Sequence, residues 1–200
     1  MRLGFVMLMT MSFPVHADEL LEKILQRLAE PAVVRAQFVQ ERHIADLTRP
    51  MLSRGRITVS RQDGVLWQIE SPVKLALAFT QDGVIETGAD GVRRSRGQRR
   101  GAVDAEIGRL MQDIVGANEA SLQTAFDALA QGSLERWTVR LKPRAREMAR
   151  FLREVRLGGG RHLETIEIEE TSGNGTAIRM RQFAIAEKLE ADELALFKQP

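Results

Sequence analysis

The chain has 200 residues, of which 44% are hydrophobic and 28% are charged, and a formal net charge of +2. It contains no cysteine, which excludes disulfides, thiol nucleophiles and thiolate metal sites. The 29 basic and 27 acidic side chains nearly cancel, so the chain as a whole has no field that would steer it toward a polyanion such as nucleic acid.

The N-terminus has the pattern of a secretory signal peptide. Arg2 precedes the apolar run "LGFVMLMTM", and "VHA" at residues 15–17 resembles a cleavage site. The run is shorter than the roughly 20 apolar residues that a membrane-spanning helix needs. We therefore predict that residues 1–17 are a cleaved signal peptide and that residues 18–200 form one domain. Because no cysteine can carry a lipid anchor, we expect a soluble periplasmic protein.

The first predicted elements are one helix followed by several strands. The helix begins at Asp18 and ends before Pro31. Its apolar stripe consists of Leu20, Leu21, Ile24, Leu25 and Leu28. A strand follows at "RAQFVQERHI", with Phe38 as its main apolar side chain, and then the hairpin "GRITVSRQDGVLWQIESP". "VKLALAFTQDG" and "VIETGADG" are two further strands, each ended by an Asp-Gly turn.

The middle of the chain changes to helical periodicity before alternation returns. One predicted helix, ended by Gly116, carries Val103, Ile107, Leu110, Met111 and Ile114. A second, capped by Asn118, carries Leu122, Phe126 and Leu129. From Ser133 the period is two, with apolar rows at Trp137, Val139 and Leu141 and at Ile166, Ile168, Ile178 and Met180.

This order of elements favours an α+β domain. Antiparallel strands with one apolar face form a strongly curved sheet or an open barrel, and the few helices cover that face. The helices either close a packed core or cover a cavity.

Arg61 is the unusual residue of the hairpin, because a guanidinium shares its apolar face. We expect a three-residue loop at residues 62–64, which leaves Thr58 and Ser60 facing water. The pairs in that register are Arg61–Val65, Val59–Trp67 and Ile57–Ile69. Arg61 is then either a rim side chain whose head reaches solvent or a group with a specific partner.

No constellation for catalysis or metal binding stands out. His43 and His162 each have a glutamate two residues away, but no further ligand at the spacing of a metal site. There is no G-x-S-x-G motif and no phosphate-binding glycine loop. We predict no enzyme activity, no metal and no cofactor. The basic run "RRSRGQRR" at residues 93–100 is interpreted as a solvated strand or loop, with a docking patch for an acidic partner as the alternative.

The order of short motifs resembles the outer-membrane lipoprotein carrier (LolA) family. After the signal peptide and the first helix come "AQFVQ" and a glycine-led strand, "GRITVSR", that ends in Arg61. Trp67, Pro72, "LALAFTQDG" and "VRLKPR" follow in the family's order. The resemblance extends over essentially the whole mature chain. It implies an incomplete, half-open antiparallel β-barrel with a helical lid over an apolar cavity that takes acyl chains.

The resemblance also implies roles for particular residues. Arg61 would be a latch that hydrogen-bonds the lid backbone in the closed, empty form. The residues expected to line the acyl-chain cavity are Phe38, Ile57, Val59, Trp67, Ile69, Leu75, Leu77 and Phe79, with Leu110, Met111 and Ile114 beneath the lid. The alternative is a filled core made of the same residues.

The function implied by the resemblance is that of a monomeric periplasmic chaperone for lipoproteins. It would bind their acyl chains, receive them from an inner-membrane lipoprotein-releasing transporter and pass them to an outer-membrane receptor lipoprotein. A LolA-like carrier of another acylated lipid, such as a glycolipid or a polyene ester, is the alternative. An exported hydrolase is the least favoured interpretation, and no nucleic-acid partner is expected.

Overall fold

The computed structural model describes residues 17–96 and 119–198. The predicted signal peptide, apart from Ala17, lies outside the described residues. The first mid-chain helix, which carries Leu110, Met111 and Ile114, lies outside them as well.

The described residues form four helices and eleven strands. The helices are α1 Ala17–Ala29, α2 Glu119–Ala125, α3 Arg146–Ala149 and α4 Ala191–Phe197. The first six strands are β1 Val33–His43, β2 Met51–Ser60, β3 Gly64–Ser71, β4 Leu75–Thr80, β5 Gly83–Thr87 and β6 Arg93–Arg96. The other five are β7 Phe126–Ser133, β8 Arg136–Pro143, β9 Leu152–Gly159, β10 Leu163–Glu170 and β11 Gly175–Ala186.

The strands form one antiparallel sheet made of two meanders. Its order is β6-β5-β4-β3-β2-β1-β11-β10-β9-β8-β7, so β1–β6 run consecutively and β7–β11 run consecutively. The meanders meet where β1 pairs with β11, from Val33↔Ala186 to His43↔Gly175. The sheet is curved and unclosed, with β6 and β7 at its opposite edges. This confirms the predicted α+β class and the open, curved antiparallel sheet.

The main core lies on one face of the sheet, called here the inner face because α1 packs on it. Alternation selects the side chains that reach this face: on β8 they are Trp137, Val139 and Leu141, all buried. From the helix, Leu20, Leu21, Ile24 and Leu25 are buried against them. The predicted stripe of the first helix is therefore its buried side.

A second, smaller apolar layer covers part of the opposite, outer face. Directly paired residues of β1–β5 form one row there, which consists of Arg35, Thr58, Leu66, Ala78 and Ile85. α4 lies on this row, with Leu196 and Phe197 packed against the buried Leu66, Ala78 and Ile85. The β3–β5 part of the sheet is therefore covered on both faces.

Two features of the hairpin differ from the prediction because of these contacts. Thr58 and Ser60, predicted to face water, are 2% and 3% exposed. The hydroxyl of Thr58 donates to Glu193 of α4, and that of Ser60 donates to Asp63 within the following turn.

The second mid-chain helix is shorter than predicted. α2 ends at Ala125, and Phe126 begins β7, which pairs with β8 from Phe126↔Pro143 to Ser133↔Arg136. Phe126 and Ala130 are buried on the inner face, whereas Leu129 is exposed on the outer one. Because alanines occupy the inner positions, the period of two was hidden by the helical spacing of Leu122, Phe126 and Leu129.

No helix within the described residues is both long and apolar enough to cross a membrane.

Candidate functional site

The residues predicted to line a cavity converge on the inner face of β1–β4. Phe38, Ile57, Trp67 and Phe79 are buried there in one cluster with the apolar side of α1. Val59, Ile69 and Leu77 are half-buried and pack against that cluster. Leu75 is half-buried at the start of β4. Leu110, Met111 and Ile114, predicted beneath the lid, lie outside the described residues.

Two aromatic rings meet on this face across a glycine. Phe38 on β1 and Trp67 on β3 flank β2, and their ring centroids are 4.3 Å apart with a 39° tilt. Gly55 of β2 pairs with Phe38 on one side and Ile69 on the other, and so leaves room between the rings. A Cβ on Gly55 would lie 1.8 Å from the Gln68 carbonyl oxygen, which excludes any larger residue.

The β2–β3 register differs from the predicted one by two residues. Val59 pairs with Val65, Ile57 with Trp67 and Gly55 with Ile69, so the predicted pairs of this hairpin were wrong. A shift of two keeps every side chain on its face, which is why the apolar row was still identified. Gly64 has φ +114°, a conformation that a side chain would strain.

Arg61 accordingly lies in the turn after β2 and is exposed. Its Nη1 donates to the Ala29 carbonyl oxygen at 3.3 Å, and its backbone N–H donates to the Ala32 carbonyl oxygen at 3.0 Å. Ala29 is the last residue of α1, where carbonyls lack helical partners and the helix dipole favours a cation. Arg61 thus joins the β2–β3 turn to the end of α1.

A second arginine joins the same helix to the other half of the sheet. Arg27, in the last turn of α1, donates from Nη1 to the Leu134 carbonyl oxygen at 2.7 Å. Leu134 lies in the turn between β7 and β8. The C-terminal turn of α1 is therefore tied to two turns, one from each meander.

The N-terminal part of α1 is held differently. Leu20, Leu21, Ile24 and Leu25 contact the core through apolar surface. Lys23 pairs with Glu19 of the same helix at 2.6 Å. Apolar burial therefore contributes to holding this part of the helix on the sheet.

The described part of the chain offers His, Asp and Glu side chains as possible metal ligands, and one histidine stacks on an aromatic ring. Within the described residues no three His, Asp or Glu side chains are grouped so as to hold a metal ion. His162 stacks on Phe183 with ring centroids 4.6 Å apart. Burial, aided by the charge of Arg161, lowers the pKa of His162, so the ring is neutral at pH 7 and acts as an aromatic packing group.

A largely buried electrostatic cluster lies on the outer face. Arg35 donates from Nε to Glu193 Oε1 at 2.7 Å and from Nη2 to Glu193 Oε2. Thr58 and the Glu190 backbone N–H also donate to this carboxylate, which is 8% exposed. Burial alone would raise the pKa of Glu193, but these hydrogen bonds outweigh it and lower the pKa from 4.5 to about 2. This cluster fixes α4 and takes no part in the inner face.

The family was identified by comparison with known proteins. The model of the family "Outer membrane lipoprotein carrier protein LolA-like" matches residues 15–190. The chain belongs to this LolA-like family. No curated protein matches its sequence.

Solved structures with the same fold include other LolA-like proteins. A LolA superfamily protein from Nitrosomonas europaea is similar over 92% of this chain and 97% of its own, with a TM-score of 0.50 and 12% identity. An outer membrane lipoprotein-sorting protein domain from Vibrio parahaemolyticus is similar over 91% and 98%, with a TM-score of 0.53 and 9% identity. At these identities the likeness concerns the fold.

A third structure with this LolA-like fold is a complex. It is the MucA/MucB complex of Pseudomonas aeruginosa, with a TM-score of 0.50 and 11% identity. The match covers 89% of this chain and 60% of that one.

Two features of this LolA-like chain were missed by sequence reasoning. Arg27 was not singled out from the sequence, although a cation in the last turn of a helix is a known signal for a carbonyl partner. α4 was not predicted, although Glu190 and Glu193 have the spacing of a capping box and form one.

Proposed function

We propose that this LolA-like protein is a periplasmic carrier that binds the acyl chains of lipoproteins between α1 and the inner face, and transports them from the inner to the outer membrane. Family membership over residues 15–190 supports the carrier class. The observation that carries the proposal is the continuous apolar cluster of the inner face, which extends over both meanders beneath α1.

The free energy of an acyl chain in water explains why a carrier needs an apolar face of this kind. Each methylene removed from water gains about 0.8 kcal/mol, so an acyl chain of sixteen carbons in water is unfavourable by on the order of ten kcal/mol. A carrier must offer the acyl chain an apolar surface of similar size, and it must also be able to release the chain. Leaving such a surface open would expose a large apolar patch, so a movable cover is required.

We assign that cover to α1 together with the predicted mid-chain helix, and the latch to Arg61. The hydrogen bond from Arg61 to the Ala29 carbonyl oxygen at the end of α1 supports this assignment. Cargo would enter from an inner-membrane lipoprotein-releasing transporter and leave to an outer-membrane receptor lipoprotein. A carrier of another acylated lipid with the same fold is the alternative; a hydrolase is disfavoured, because family members are binding proteins.

Uptake of a fluorescent fatty-acyl probe by residues 18–200 tests the proposal. Val59→Phe and Ile69→Phe enlarge half-buried residues of the inner face, so we expect each to reduce probe binding at least about fivefold. Val39→Phe, on the outer face of β1, is the matched control and should bind like the parent. Mass spectrometry of lipids that co-purify from the periplasm names the cargo. A parent protein that binds no probe has a filled core and refutes the proposal.

A further inference from the structure

Three large apolar side chains are exposed together at one end of the long β1–β2 hairpin. They are Leu47, Met51 and Leu52, which are 53%, 53% and 52% exposed. They belong to residues 44–54, called here the hairpin tip. Soluble proteins seldom leave several such side chains together in water without a use for them.

The hairpin tip is held in place. Leu47 N–H donates to the Ile44 carbonyl oxygen at 2.9 Å, which forms a turn. Ala45 N–H donates to Asn174 Oδ1 at 3.0 Å, which anchors the loop to the turn between β10 and β11. The three apolar side chains are thus presented on an ordered support.

The apolar side chains are distributed around the tip instead of along one face. Met51 and Leu52 are consecutive residues of β2, so they point to opposite faces of the sheet. Leu47 lies beyond both strands, in the loop. A flat protein surface would cover one of these faces, whereas an apolar medium entered end-on would cover all three side chains.

The charges of the tip favour an anionic surface. The tip contains Arg49, Arg54 and one carboxylate, Asp46, all exposed. Among the described residues no ion pair involves Arg49 or Arg54, whereas Arg42, just outside the tip, is paired with Glu170. Guanidinium groups beside apolar side chains can reach lipid phosphates while the apolar groups enter the acyl boundary.

We propose that the hairpin tip docks end-on onto an anionic lipid surface, with Leu47, Met51 and Leu52 below the headgroups and Arg49 and Arg54 among them. This docking is separate from cargo binding. It lies at the opposite end of β2 from Arg61 and does not depend on a cavity.

Tryptophan quenching tests this directly. The natural Trp67 and Trp137 are 6% and 2% exposed, so quenchers in a bilayer do not reach them. In residues 18–200 carrying Met51→Trp, we expect brominated phosphatidylcholine in phosphatidylglycerol-containing vesicles to quench the new tryptophan. Ile185→Trp is the matched control, because Ile185 is 51% exposed but pairs with Val34 at the other end of β1. It should not be quenched.

Vesicle flotation separates the contribution of the apolar side chains to vesicle binding from that of the arginines. Leu47→Ser combined with Leu52→Ser should lower the partition coefficient about tenfold or more on either lipid composition. Arg49→Gln should lower it about fivefold on phosphatidylglycerol vesicles and leave it unchanged on pure phosphatidylcholine. Equal quenching of tryptophans at residues 51 and 185 would overturn the proposal. Absence of quenching at residue 51 would overturn it as well, and would indicate that the hairpin tip binds a protein instead of a lipid surface. These variants should still bind the fatty-acyl probe. A loss of vesicle binding can then be distinguished from a loss of the carrier function.

Discussion

Arg61 and Arg27 each hold the C-terminal turn of α1 through a hydrogen bond to a carbonyl oxygen. Each reaches one main-chain oxygen, at 3.3 Å for Arg61 and 2.7 Å for Arg27. The Arg61 bond is long and exposed, so its contribution is smaller than that of a buried, forked guanidinium. A latch of this strength would shift the equilibrium between closed and open forms without locking either.

Replacing Arg61 by leucine should therefore favour the loaded form. The variant loses a hydrogen bond that we assign to the closed, empty state, so the loaded fraction should rise about three- to tenfold. Arg61→Leu should retain cargo and transfer it poorly while remaining folded, and Arg61→Lys should be intermediate. The measurement is probe release to acceptor vesicles, with Arg153→Leu, at an exposed position of β9, as the control. If both Arg61 variants release the probe like the parent protein, Arg61 is a rim residue and not a latch.

Arg27→Gln tests the other tie in the same assay. It removes the bond to Leu134 and leaves Arg61 in place, so its effect should have the same direction. Because the two arginines contact different turns, their effects on release should be nearly additive in the double variant. An effect of Arg27→Gln on unfolding alone would contradict a role in the cover.

At the scale of elements, the stability of α4 comes from its contacts with the sheet, above all those of one carboxylate, because the helix itself is short. It has only seven residues, too short to be stable alone, and it is fixed by Glu193 and by Leu196 and Phe197. Because the pKa of Glu193 in the folded protein is about 2, well below its ordinary 4.5, the ionised form stabilises the fold.

Glu193→Gln should lower the free energy of unfolding by about 2 kcal/mol at neutral pH, since it removes the carboxylate to which Arg35 donates two hydrogen bonds. The contribution is complete above pH 4.5 and is lost as the pH falls toward 2. The free energies of unfolding of the parent and the variant should therefore differ most above about pH 5 and become similar near pH 2. Urea unfolding across this range measures the difference. Glu164→Gln, an exposed substitution on β10, should show none; a constant Glu193 difference at all pH values would be inconsistent with ionisation.

The elements also show which parts of the structure the sequence could predict. β8, β10 and β11 alternate large apolar and polar residues, so their faces follow from the sequence alone. β7 carries alanines at inner positions and lacks that contrast. The burial of Thr58 depends on Glu193, 135 residues away, and no local pattern encodes it. The hairpin register was missed because a shift of two leaves each face unchanged.

At the scale of the whole molecule, cleavage of residues 1–17 is a prediction that the mass of the exported protein tests. Cleavage before Asp18 would leave the buried residues Leu20, Leu21, Ile24 and Leu25 of α1 in the mature chain. We predict that protein recovered from the periplasm has the intact mass of residues 18–200. A mass that includes residues 1–17, or protein released only by detergent, would contradict the export prediction.

The junction between the two meanders has a consequence for the order of folding. Hairpins within each meander are local, whereas β1 pairs with β11 across contacts such as Phe38↔Met180. Closing so long a loop is slow compared with hairpin formation, so this pairing forms late. Until then one edge of β1 has unpaired amides and carbonyls that could recruit another chain. Arg35, Gln37, Glu41 and Arg42 place polar side chains along that strand, which disfavours pairing with another chain until β11 is in place.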